Sequence, residues 1–135
     1  MCFLTSLLPR VVAYGAVERV VMRVLFAVLV FFTISWGRRF EDQPKPNGLA
    51  HWFDLTFVTQ HGSERVFQVL VIVSLALYVF RLVPTLALVI PTFVALATGT
   101  VVNSQGAINH DTQAVVMILI AQFVVSVIAG LVLGK

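Results

Sequence analysis

Four long apolar blocks divide this chain, and short polar stretches separate them. The blocks run from about Val17 to Trp36, Ser63 to Phe80, Thr85 to Val102 and Gln113 to Leu133. Apolar runs of about 17–25 residues with few charges are long enough to cross a bilayer as helices. The pattern predicts an all-α fold: an integral membrane four-helix bundle, built as one transmembrane domain over residues 1–135.

The polar positions refine that picture. Residues 1–14 are apolar around Pro9 and Arg10. They read as an amphipathic stretch lying in the membrane interface, with a cleaved secretory leader as the rival reading. Arg19 and Arg23 fall in the first turns of the first span, where long side chains snorkel to headgroups, and Trp36 closes it as an interfacial aromatic. The segment from Gly37 to Arg65 is the one long hydrophilic connection. Pro44, Pro46 and Asn47-Gly48 mark a turn in its first half. Leu49, Trp52, Phe53 and Phe57 recur at helical spacing in its second half, which predicts a short interfacial helix. Arg81 to Pro84 reads as a tight turn, and Pro91 predicts a kink in the third span unless neighbours satisfy the freed carbonyl. Gly99 and Gly130 are candidates for close helix contacts. Gln122, deep in the fourth span, is expected to face another helix or a cavity, because an amide facing lipid is costly.

Composition agrees: 59% of residues are hydrophobic, 11% are charged and the mean hydropathy is +0.99, where soluble domains carry about 25% charged residues. The net charge of +3 comes from residues flanking the spans, so it speaks to orientation rather than to nucleic acid. With four spans, Arg10, Arg19, Arg23, Arg81 and Lys135 share one side, and Arg38, Arg39, Lys45 and Arg65 the other. The balance points to a cytoplasmic N-terminus. Cys2 is the single cysteine, which excludes an intramolecular disulfide or a dithiol relay.

The candidate chemistry gathers in one polar island, Asn103 to Gln113, between the third and fourth spans. Asp111 or Thr112 suits the cap of the helix that follows. His110, flanked by Asn109 and Asp111, suits a general base or proton carrier, because its charge state changes near neutral pH. These three are the candidate catalytic residues. Topology places the island on the same membrane face as the first loop, with His51, His61 and Asp54. The loop is therefore expected to fold over the island. No HxxxH or HxxH pair occurs among the three histidines, so no metal site is assigned, and the residues name no cofactor.

Ala107-Ile108-Asn109-His110-Asp111, opening an apolar span, resembles the Asn-His turn of the HTTM/vitamin-K-dependent-carboxylase-like proteins. Gly48-Leu49-Ala50-His51-Trp52-Phe53 is similar in character to that family's aromatic-rich loop, and Arg81 to Pro84 to its basic turn near a proline. DoxX-like and MauE-like four-span proteins share the layout, which covers about three quarters of the chain. The chain departs from the carboxylases in having only Lys45 and Lys135 as lysines and no large lumenal domain. The resemblance implies a four-helix bundle with polar groups on the non-cytoplasmic face, acting as a membrane subunit in a redox or quinone-linked setting.

The expectation is a small multi-pass subunit or accessory protein of a larger complex in a bacterial inner membrane. Its partners would be the lipid bilayer and other membrane subunits, with no nucleic acid. The alternatives are a stand-alone enzyme or electron-transfer module using His110, and an oligomeric transporter of small solutes.

Overall fold

The computed structural model describes residues 15–34, 36–46, 48–106 and 110–133. The interfacial stretch expected over residues 1–14 lies outside them. The described chain is helical, with no strand among the described residues. Its helices are α1 (Ala16–Thr33), α2 (His61–Val79), α3 (Pro84–Ala87), α4 (Val89–Ser104) and α5 (His110–Leu133).

Local chemistry explains several of these boundaries. Glu18, in the first turn of α1, reaches back to accept the Gly15 N–H at 2.7 Å, which satisfies a donor the helix start leaves open. The first span was expected to reach Trp36, but α1 ends at Thr33. Trp36 folds back instead: its indole N–H donates to the Phe31 carbonyl at 2.8 Å, and the two rings lie 5.7 Å apart. α2 ends in a Schellman motif. The Leu82 N–H bonds the Leu77 carbonyl at 3.2 Å and the Arg81 N–H bonds Tyr78 at 3.1 Å. Arg81 takes the left-handed position with φ 61°, which glycine usually fills. Pro84 then starts α3 at a position where no N–H is needed.

The helix is interrupted three residues before Pro91, at Leu88, whose backbone stays in the right-handed helical region with φ −88° and ψ −13°. Pro91 cannot donate to Ala87, so the helix breaks and restarts with Pro91 in the first turn of α4. Leu88 donates back to Thr85 at 3.3 Å, and the Thr92 N–H and hydroxyl both reach the Leu88 carbonyl, at 3.1 and 2.6 Å.

α4 is the central element. It packs against α2, α3, α5 and the first loop, while α1 packs against α2 and α5. Its buried residues include Val94, Ala95, Ala97, Thr98, Gly99 and Val101. Thr98 and Ser104 are buried, and their hydroxyls donate to the carbonyls of Val94 and Val101, so neither leaves an unsatisfied polar group in the core. Polar ties cross between helices: Gln122 donates to the Tyr78 hydroxyl at 3.2 Å, and Thr85 to the Ser126 carbonyl at 3.3 Å. Gln122 therefore faces a neighbouring helix, as its cost in lipid requires. Gly130 does not serve a close contact; it is exposed, and a Cβ there would meet nothing within 4 Å.

Among the described residues, three helical segments are long and apolar enough to cross a membrane: His61–Val79, Pro84–Ser104 and Gln113–Leu131. This is a multi-pass helical membrane protein. α1 is 18 residues long and carries Glu18, Arg19 and Arg23 in its first half.

Candidate functional site

The connection from α1 to α2 forms a strap across one end of the helices. The single interfacial helix expected over its second half is instead two 3-10 turns, Gly48–His51 and Thr56–Val58. Asp54 is the cause of the split. Its Oδ1 accepts the Thr56 N–H at 2.9 Å and the Thr56 hydroxyl at 2.6 Å, a local turn that competes with helix formation. Both 3-10 turns pack on α4, and the second also packs on α2. A ladder of rings carries this contact inward: Phe57 lies 6.0 Å from Phe67, and Phe67 lies 6.4 Å from Phe93.

The strap is pinned at several points. The Gly37 N–H donates to the Glu64 carboxylate, and Thr59 donates to the Phe40 carbonyl at 3.5 Å. The Lys45 N–H donates to the Ser104 carbonyl at 3.0 Å, and the Gln105 side-chain amide donates to the Asp42 carbonyl at 3.0 Å. Gly106, with φ 91°, lies beneath the Lys45 stem. The loop therefore meets the first part of the polar island, at Ser104, Gln105 and Gly106.

The sequence candidates occupy different places. Asn109 lies outside the described residues. Asp111 is in the first turn of α5, and its side chain also lies outside them. His110 is exposed, with Nδ1 3.3 Å from Gln113 Oε1. His61 is exposed at the start of α2. His51 is exposed at the end of the first 3-10 turn, edge-on to Trp52 at 6.2 Å. Among the described residues, no three His, Cys, Asp or Glu side chains group closely enough to hold a metal ion.

The best-organised polar group is Asp54, noted in the sequence only as a possible neighbour of His110. Besides the two bonds from Thr56, its Oδ1 accepts the Gln43 amide at 2.8 Å. The Thr56 hydroxyl, the Thr56 N–H and the Gln43 amide together hold the carboxyl below its ordinary value of 3.8, because all three bond the charged form. The donor end of Gln43 must face the carboxylate, which turns its Oε1 into a buried position without a partner among the described residues.

Three cavities surround this region. An apolar one of about 460 Å³ lies between the 3-10 turns and α4, lined by Leu49, Phe53, Leu55, Phe57, Phe93, Leu96 and Ala97, with Asp54 also in its wall. At 1.5 Å per residue, Ala97 and Phe93 sit about 10 and 16 Å along α4 from Ser104, so this cavity reaches two to three turns down α4 from the strap end. A mixed crevice of about 270 Å³ separates α4 from α5, with Gly99, Thr100, Asn103 and Gln113 in its wall. A polar cavity of about 400 Å³ lies within the strap, lined in part by Glu41, Asp42, Gln43, His51, Trp52 and Asp54. The cavities left no signature in the sequence, because residues far apart in the chain form their walls. The Asp54–Thr56 turn was legible in principle, as an aspartate two residues before a threonine.

No protein-family model, no curated protein and no solved structure matches this chain.

Proposed function

We propose that the chain is a small subunit or accessory protein of a larger membrane complex. In this reading α1 is a fourth span, the helices form a four-helix bundle, and the N-terminus is cytoplasmic in a bacterial inner membrane. The observation that carries it is the outward surface. Val20, Val24 and Phe32 on α1, Val69 and Val73 on α2, and Ile118, Val125 and Leu131 on α5 are all exposed. Apolar surface on three helices suits lipid and neighbouring spans alike. The redox or quinone-linked setting rests on the resemblance to DoxX-like proteins alone. Mild-detergent purification from the native membrane, followed by mass spectrometry, tests the proposal. The expected result is a stoichiometric membrane-protein partner, and a chain that runs alone would overturn it.

A second reading makes His110 the working residue of a stand-alone enzyme or electron-transfer module. Its support is the placement of Gln113, which both pairs with His110 and lines the crevice containing Thr100 and Asn103. His110→Gln is expected to abolish the activity of the host pathway while leaving the chain's membrane level unchanged; full activity in that variant would remove this reading.

A further inference from the structure

The apolar cavity against α4 and the polar cavity within the strap share a wall. Phe53 and Asp54 line both, so one side-chain pair stands between an apolar space along α4 and a polar space within the strap. The polar space is acidic. Glu41, Asp42 and Asp54 line it together with His51, and among the described residues no lysine or arginine does. Nearby Lys45 turns instead to Gly106, its Nζ 3.5 Å from where a Cβ would stand there. The donors on Asp54 converge on Oδ1, which leaves Oδ2 for a further donor. Trp52, 78% exposed, adds an aromatic face to the same cavity.

We propose that the two cavities form one binding site for a single-chain amphiphile with a primary ammonium head. The aliphatic tail enters laterally from the bilayer and lies among Phe53, Leu55, Phe93 and Leu96. The ammonium passes Phe53 and sits among the carboxylates of Glu41, Asp42 and Asp54, with Trp52 at its side. The volume of about 460 Å³ falls within the range of about 300–1,000 Å³ usual for small-ligand sites. Charge selects the head. An ammonium complements three carboxylates, whereas the phosphate of a phospholipid would stand among like charges. A primary amine also supplies the N–H that Asp54 Oδ2 can accept, and Trp52 adds cation–π attraction.

Calorimetric titration of the full detergent-solubilised chain with dodecylamine, and separately with dodecanol, tests this. At pH 7 the amine is expected to bind about five- to tenfold more tightly, the worth of two or three partly exposed charge pairs. The double variant Glu41→Gln/Asp42→Asn alters two exposed side chains. It is expected to reduce the preference to about twofold or less, with the loss falling mainly on the amine. Phe53→Ala and Ala97→Phe, one opening the shared wall and the other filling the tail cavity, should weaken both ligands. Equal binding of amine and alcohol, or an unchanged preference in the double variant, would overturn the proposal. So would phosphatidylethanolamine competing as well as dodecylamine, which would assign the space to a bilayer phospholipid.

Discussion

α4 and α5 lie side by side, yet only one of them is an interior helix. The segment Pro84–Ser104 has 56% of its most apolar window buried, against 11% for Gln113–Leu131, although the second is the more apolar of the two. In water the order would be reversed, because burial follows apolar character. In lipid the surroundings are as apolar as the core, so apolar character does not choose the inside. Side-chain size and hydroxyls do. α4 carries Ala95, Ala97, Thr98 and Gly99 in its buried part, whereas α5 presents Met117, Ile118, Val124, Val125 and Ile128 outward.

The sharpest way to break this comparison is to add the same bulk to both helices. Val94 is fully buried on α4 and Val125 is exposed on α5. Val94→Phe is expected to destabilise by about 1–3 kcal/mol through overpacking, and Val125→Phe to stay within about 0.5 kcal/mol. Reversible unfolding in mixed micelles measures both. Equal effects would mean that α4 is not the interior helix.

Gln122 sharpens the same contrast, because it is the inward polar group of the outward helix. Gln122→Leu removes its bond to Tyr78 and is expected to cost about 0.6 kcal/mol, the average for hydrogen bonds between membrane helices. A double-mutant cycle with Tyr78→Phe isolates the pair.

The smallest effect concerns the strap that covers α4 but not α5. The Asp54 carboxyl is held below its ordinary value of 3.8 by Thr56 and Gln43. A depressed folded value means that its contribution is present above the unfolded value and is lost as pH falls through the folded one. Strap docking, read by hydrogen exchange at Thr56 and Lys45, is expected to be flat from pH 8 to 5 and to loosen below about pH 4. Asp54→Asn should remove that acid limb.

Much of the helical layout was legible because length and apolar character alone specify it. Block boundaries fell within a few residues of α2 and α5. Other features escaped for physical reasons. Leu49, Trp52, Phe53 and Phe57 have helical spacing, but the Asp54–Thr56 turn outcompetes the helix between them. Pro91 was read as a kink at its own position, whereas the missing hydrogen bond belongs to a carbonyl four residues earlier. The meeting of strap and island followed from topology, but its bonds use the carbonyls of Ser104 and Asp42, and backbone groups carry no sequence signal. The Gln43–Asp54 pair joins residues eleven apart across a turn that no periodicity marks.

Arg81 carries a further consequence. Its left-handed backbone at φ 61° costs a non-glycine residue roughly 1–2 kcal/mol, yet a cation there also marks which side of the membrane the end of α2 belongs to. Folding and biogenesis therefore make opposite demands on one residue. Arg81→Gly is expected to raise resistance to unfolding by about 1 kcal/mol while increasing the fraction of chains inserted the wrong way round, as scored by glycosylation-site mapping. The turn that is least comfortable as backbone would then be the one that tells the membrane machinery which way the protein faces.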